Sequence, residues 1–457
     1  RGSSGVTLMY ETSLDNAWLV REYAKAAQGP VTSSLATDVW RIMPNSSDLS
    51  IWLNGGMQGM NFAFIGRPYD YHTAGDSLEH LDLRSLQHHG SSALALARHF
   101  GSGGVPARTR RDAIHFSLIG DILVHYSWTT AALLAGLGAA LLLAAVRAMA
   151  GRRRLRGVGI LRGALFAAAA AIASAGLGYG LLSLIRAAHR SILPAGPWRY
   201  SDGYFLALVF LAAAATAASY GLLKARLPSF ELAIGAATFW TVLAVAVTAL
   251  VPDASYLIVW PSLFLSAAVF LWSCLGRSGE NGAPAAWIAA LAAAGVVLIA
   301  VPLLVLLFQA MFLSPFMAAV HAGLVSIMLA AMTPALEVVD RGLGRRLPAF
   351  FAALFLIVLV VSALTAGYSE RIPRAASFQY LMDFDAGRAY WMIEAGRPAD
   401  PWTEGIAGQG SVVEDPQPDY FRGRYAFRAA PTATEPPPEV NVLEDRVSGS
   451  SRFIKLR

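Results

Sequence analysis

The sequence predicts an all-α polytopic membrane domain of about eight helices, preceded by an α/β segment and followed by a small β-rich soluble tail. Three observations carry this. Of the 457 residues, 55% are hydrophobic and only 14% charged, with a mean hydropathy of +0.48, too apolar for an ordinary soluble domain. Apolar runs able to cross about 30 Å of hydrocarbon at about 20 residues each begin at Trp128 and recur to Tyr368. Outside that block the pattern changes to short alternating or amphipathic segments. The expected divisions are 1–111, 112–368 and 369–457.

In the first segment, Val6 to Glu11 reads as a strand, Asn16 to Ala27 as an amphipathic helix and Asn61 to Ile65 as a short apolar strand. Leu83 to Phe100 reads as a helix with Asp82 as its N-cap, because a short carboxylate can accept from the open N–H groups of a first turn. Between the last strand and that helix runs a loop, Gly66 to Leu81, containing Tyr71, His72 and Asp76. Loops leaving the carboxyl ends of strands are where open α/β sheets bind ligands, so this loop is the candidate site.

The eight spans are expected at Trp128 to Ala148, Gly163 to Ile185, Gly203 to Leu223, Leu232 to Val251, Tyr256 to Leu275, Ala285 to Phe308, Pro315 to Met332 and Pro348 to Gly367. Cytoplasmic loops retain Lys and Arg. One set of alternate loops holds Arg147, Arg152, Arg153, Arg154, Arg156, Lys224, Arg226, Arg277, Arg341, Arg345 and Arg346; the other holds Arg186, Arg190 and Arg199. The first set is therefore expected in the cytoplasm. An even number of spans then puts both soluble ends on the non-cytoplasmic side, the periplasm of a bacterium or an organelle lumen. The net charge of +6 does not indicate nucleic acid as a partner, since the basic residues cluster beside apolar runs. Inside the spans Arg162 and Glu231 are expected to snorkel from helix ends, leaving His321 as the deep ionisable residue. Cys274, the single cysteine, reads as a small packing residue within an apolar run.

In the tail, Phe378, Tyr380, Met382 and Phe384 alternate with polar or smaller neighbours, Asp385-Ala386-Gly387 supplies a turn, and Ala389 to Ile393 returns as the second strand of a hairpin. Pro431 to Glu439 reads as an extended or disordered connection.

The stretch GMNFAFIGRPYDYHTAGDSLEHLDLRSLQHHGSSALALARHF resembles the last strand, last metal-ligand loop and closing helix of the M28 family of di-zinc aminopeptidases. The small-residue start Arg1 to Gly5, the strand after it and the Ser47-Asp48 pair fall in the family's order. With a membrane domain following, the chain resembles the membrane-anchored branch. The resemblance implies the C-terminal part of a zinc-peptidase domain acting on peptide N-termini through a zinc-activated water, with two Zn2+ per complete site, peptide as substrate and the lipid bilayer as surroundings. His72 would be the final zinc ligand, Tyr71 the donor that steadies the oxyanion, and Asp76 a carboxylate behind His72, although an Asx-turn role suits Asp76 better. His80, His88 and His89 read as surface residues. The remaining ligands and the general base would precede Arg1, which is neither an initiator Met nor the start of a leader, so a fragment inactive alone is expected.

Two rival readings stand beside this one. A transporter or channel would need several polar residues at mid-membrane, where the sequence offers His321. A non-catalytic peptidase-like protein would bind peptides without cutting them. Near the first span, Asp112 with His115 and Asp121 with His125 are spaced to share a helix face, and solvated residues at the mouth of the span explain them as well as a metal site does.

Overall fold

The computed structural model describes all of the chain except residues 1, 44–45, 72, 74, 104–110, 119–121, 152–154, 189–200, 227, 276–282, 312, 340–342, 367–377, 395–400, 409–411, 417–420, 422–424, 435, 437–438, 440, 449–450 and 457. It divides into two compact units, Arg1–Gly367 and Tyr368–Arg457.

The first unit opens with β1 (Ser4–Thr12), α1 (Ala17–Ala26), β2 (Val31–Thr32), α2 (Ser34–Ile42), α3 (Asp48–Asn54), β3 (Met60–Gly66) and α4 (Leu83–Ser102). Its sheet has the order β2-β1-β3, with β1 parallel to β2 and antiparallel to β3. Alternation along β1 divides the residues between two faces. Met9 points to Val20, Tyr23 and Leu96 of α1 and α4, whereas Leu8 and Tyr10 point to the side covered by α2 and α3. The expected strands and the two longer helices are present, and Asp82 caps α4 by accepting from the N–H groups of Arg84 and Ser85. Helices α2 and α3 are additions to the sequence reading: both are short, and Ser33 and Ser47 cap them through hydroxyls rather than through any long apolar period.

Residues 112–126 correct an expectation. They form a hairpin, β4 (Ile114–Ser117) with β5 (Leu123–Tyr126), in which His115 lies opposite His125, so no helix face is shared. Asp112 turns away to accept from Asn16 N–H at 3.1 Å, while Asn16 Oδ1 accepts from Ala113 N–H, and together they fix the start of α1. His115 is fully buried rather than solvated. Burial pushes its imidazole down to about 4, so it is neutral at physiological pH, with Nδ1–H donating to Ala113 O. Asp121 lies outside the described residues.

Among the described residues, eight helices are long and apolar enough to cross a membrane. They are α5 (Trp128–Gly151), α6 (Gly157–Ala188), α7 (Ser201–Lys224), α8 (Ser229–Leu250), α9 (Tyr256–Leu275), the continuous α10 (Ala283–Gly295), π turn (Val296–Ala300) and α11 (Val301–Met311), then α12 (Pro315–Val339) and α13 (Leu343–Thr365). Helix α12 packs against α6, α7, α8 and α10, and α13 lies outside against α7. In a bilayer the association of spans rests on close packing and hydroxyl pairs rather than on apolar transfer. Both are visible: a Cβ on Gly235 would stand 2.5 Å from the Cα of Gly163, and Thr216 meets Ser326 at 2.7 Å between α7 and α12.

Two intramembrane expectations are corrected. Glu231 does not snorkel; it is buried against Gly159, its Oε1 accepting from Arg156 N–H at 3.1 Å. The glycine leaves room for the carboxylate, and α6 accordingly begins six residues before the expected span. Cys274 is exposed on the flank of α9 rather than packed. His321 is buried as its depth implies, its Nδ1–H donating to Met317 O at 2.6 Å.

The second unit contains a three-stranded antiparallel sheet, β6 (Phe378–Asp383), β7 (Arg388–Glu394) and β8 (Tyr425–Ala430), with α14 (Pro401–Ala407) and a separate hairpin of β9 (Val442–Ser448) and β10 (Ser451–Leu456). The expected hairpin is β6–β7, pairing Phe378 with Ile393 and Asp383 with Arg388. The described residues between Pro431 and Glu439 form no regular element, as the proline content requires.

Candidate functional site

The candidate loop begins where β1 and β3 come closest. Ser4 pairs with Gly66, and a Cβ on Gly66 would stand 2.9 Å from Ser4 O, while Gly5 has φ +95°. Only glycine reaches that φ without strain, so the small-residue start of the chain is a condition of the strand pairing. The loop leaves the carboxyl end of β3 and is tied back to the same place. Ser3 Oγ donates to Asp70 Oδ2 at 2.6 Å, and Asp82 N–H donates to Ser3 O at 2.9 Å. One residue of β1's entry thus holds both ends of the loop.

Within the loop, Arg67 adopts φ 53° and places its guanidinium 3.1 Å from Asp70 Oδ2 and over the ring of Tyr69. Asp70 is buried; a buried carboxylate is retained only when paired and hydrogen-bonded, and Ser3 with Arg67 meets that condition. Thr73 Oγ1 donates to Asp70 O and accepts from Gly75 N–H, and His80 Nδ1–H donates to Gly75 O at 2.7 Å. The result is a chain of fixed turns rather than a loose strap.

Of the residues singled out in the sequence, Tyr71 is half exposed and faces a cavity of about 510 Å³. His72 lies outside the described residues. Asp76 is exposed, its N–H donating to Thr73 O in one of those turns. His88 is corrected from a surface residue to a tether: its Nδ1 accepts from Thr7 N–H and its Nε2–H donates to Gly29 O. His80 and His89 are likewise half-buried. Asp70 is the residue the sequence reading missed. The signals were Arg67 three residues before it and a serine 67 residues away, and only the fold brings the second one close.

The cavity lies on the α2–α3 face of the sheet. Leu8, Tyr10, Ala63 and Ile65 form its floor, Trp40, Leu49 and Trp52 one wall, and Leu303, Leu307 and Met311 of α11 the other, with Tyr71 and Asp48 at its edge. The soluble segment and the sixth span build it jointly. Across the same junction, Ser33 Oγ meets Tyr256 Oη at 2.7 Å, Ser34 Oγ donates to Asp253 O at 2.6 Å, and the rings of Phe116 and Tyr256 stack at 4.5 Å.

Whether these residues could hold a metal is tested by the donors present. Zinc at a catalytic site takes three protein ligands. Among the described residues no three His, Cys, Asp or Glu side chains are grouped to hold an ion, and the buried carboxylate of Asp70 is engaged by Ser3 and Arg67. The described residues therefore do not make a metal centre.

A pinned loop at the end of a mixed sheet, seated over a cavity on a bundle of eight apolar helices, defines a multi-pass membrane protein carrying a soluble module of α/β type. Residues 1–97 match the model of Peptidase family M28. The chain's relatives include endoplasmic reticulum metallopeptidase 1 of Mus musculus and of Homo sapiens, each 30% identical over 132 residues, and that of Rattus norvegicus at 29%. In each case the match covers 27% of this chain and 15% of the relative's length. No solved structure matches the chain.

Proposed function

We propose that this chain is part of a membrane-anchored zinc metallopeptidase of the aminopeptidase type, its soluble segment being the C-terminal part of the peptidase domain. The observation that carries the reading is that the family match includes the loop of Tyr71 and His72, and that this loop is pinned beside a cavity large enough for peptide side chains. In this reading His72 is a zinc ligand and Tyr71 donates to the oxyanion that develops at the scissile carbonyl. The chain's described residues supply no other ligand set, so no step is assigned to the metal here. Peptide is the substrate, and both soluble units lie on the non-cytoplasmic side. The sidedness rests on the Lys and Arg asymmetry of the loops; the packing of the first segment on Pro252–Ala254, between the fourth and fifth spans, and on the end of the sixth agrees with alternation in grouping these with the start of the first span.

Two substitutions in the intact protein separate the roles. His72→Ala is expected to lose zinc and nearly all activity. Tyr71→Phe is expected to keep its metal and lose about 10² to 10³ in kcat, the effect of deleting one oxyanion donor. Full zinc and full rate in His72→Ala would end the peptidase assignment of the loop; a wild-type Tyr71→Phe would end the oxyanion role alone.

A further inference from the structure

The wall that the sixth span lends to the cavity begins at a break in the helix. Val296–Ala300 is a π turn, and Pro302 follows it. A π turn closes i→i+5 and so changes the direction in which the following residues point, and proline, lacking an N–H, removes the bond to the carbonyl four residues earlier. Beyond the break, Leu303, Leu306, Leu307 and Ala310 recur at helical spacing and all line the cavity. Val305, between them in sequence, points away and is 44% exposed. One apolar face of α11 is thereby set opposite Leu8, Ala63 and Ile65 of the sheet.

The two apolar faces do not close on each other. Folded interiors keep few voids larger than a water molecule, yet about 510 Å³ stands between these. A void of about 150 Å³ already accepts a benzene-sized group, so the space suits a large apolar side chain together with the residue that carries it. The chemistry of the lining narrows the occupant further. It is aliphatic and aromatic, Trp40 and Trp52 included, and among the described lining residues Asp48 is the charged one, with no Lys or Arg. A second carboxylate stands behind that lining. The register shift between Met9 and Glu11 turns Tyr10 and Glu11 toward the same side. There Glu11 Oε2 accepts from Ser47 Oγ at 2.6 Å and from Asn61 Nδ2 at 2.9 Å, and Ser47 and Asn61 both line the cavity. An occupant bearing a carboxylate or phosphate, such as a fatty acid or a phospholipid, would meet two acids and no cation. An uncharged apolar side chain, on a peptide whose free terminus is an ammonium, meets no such repulsion.

We propose that the sixth span is a specificity element for the substrate: Leu303, Leu306 and Leu307 close a pocket that receives a large apolar side chain of the peptide beside the scissile bond. This rests on the reading of Tyr71, at the edge of the same cavity, as the donor to the scissile carbonyl. The substrates are then peptides with a residue such as Leu or Phe at that position, and a membrane helix, not the soluble segment alone, selects among them.

The test uses the intact protein in lipid nanodiscs and fluorogenic aminoacyl reporters that differ in the side chain alone: Ala, Leu and Phe. Wild type should favour Leu and Phe over Ala by about 10-fold or more in kcat/KM. Leu307→Trp fills the pocket and should lower kcat/KM for the Leu and Phe reporters by about 10-fold, chiefly by raising KM, while the Ala reporter is cut as before. Leu307→Ala enlarges the pocket and should shift the preference from Leu toward Phe. Val305→Trp, on the outward face of the same helix, should leave all three rates unchanged. A preference that is the same in wild type and in both Leu307 variants would overturn the proposal, since the cavity would then hold something other than the substrate's side chain, an acyl chain among the candidates. So would a loss in Leu307→Trp that is equal for all reporters, taken with an unchanged preference in Leu307→Ala, and so would a Val305→Trp that shifts the preference as far as Leu307→Trp does. Each of these leaves hydrolysis, and with it the peptidase reading, standing. Wild-type protein that cuts none of the reporters, or cutting that persists in His72→Ala, would end that reading and this proposal together.

Discussion

The loop after β3 and the junction beneath α2 are both held by serine hydroxyls, yet they are built on different principles. In the loop the contacts are charged and local to one point: Ser3 and Arg67 meet the buried Asp70, and Asp82 closes the far end on Ser3. At the junction the contacts are neutral and spread out: Ser33 on Tyr256, Ser34 on a backbone carbonyl, and Phe116 stacked on Tyr256. A charged buried hub concentrates the stability of a short segment in one carboxylate, because removing either partner strands the other. A neutral junction divides it among many contacts, each worth about 1 kcal/mol. The loop should therefore break at one residue, whereas the junction should weaken by degrees.

Gly5→Val tests the loop's foundation and has the largest expected effect. A branched side chain at φ +95°, 2.9 Å from Gly66 N, carries backbone strain of about 1–3 kcal/mol in addition to the displaced strand contact, and thermal unfolding of the soluble segment should show it. Asp70→Ala comes next: loss of the charged hydrogen bonds should cost about 2–3 kcal/mol, and hydrogen exchange should rise across residues 67–82 while the spans stay protected. Protection retained throughout the loop would show that the hub is not what holds it. At the junction, Tyr256→Phe keeps the ring stack on Phe116 and deletes the hydroxyl contact with Ser33. It should cost about 1 kcal/mol, read as a modest rise in exchange over residues 31–42.

The same contrast explains what the sequence made legible. Spans are legible because each needs about 20 apolar residues without interruption, and all eight are present. The loop drew attention in the sequence because its tyrosine and histidine resemble a family pattern, while its mechanical centre, Asp70, did not: its partner Ser3 is distant in the chain. The junction was illegible altogether. Strands of four residues such as Ile114–Ser117 leave too short a period to separate from a helix, so Asp112 and His115 were placed on one helix face. Glu231 misled for a related reason, since a carboxylate near the end of a span is ordinarily drawn to water, and nothing in its own segment reports that Gly159 on another helix makes room for it.

The subtlest prediction concerns the pH dependence of the junction. Burial pushes the Asp253 carboxyl from its ordinary 3.8 up to about 7; Asp38 and Asp112 add to the shift and Arg41 opposes it. Asp253 sits in the turn Pro252–Ala254, between spans, where the soluble segment is seated. The folded value is raised, so the group binds its proton more tightly when the segment is seated than when it is released. Its contribution is fully present below about 4, where both states are protonated, and is lost as pH rises through about 7, where the seated carboxyl must ionise beside Asp38. The effect should be small, because Asp253 is only half-buried and solvent screens a group so placed. Exchange at residues 31–42 in nanodiscs, corrected for its intrinsic pH dependence, should therefore increase gently across that window. Asp253→Asn should abolish the trend while keeping the junction, since Ser34 donates to the backbone carbonyl of Asp253 and not to its side chain. A trend unchanged in Asp253→Asn would move the titration elsewhere and leave the junction insensitive to this carboxyl.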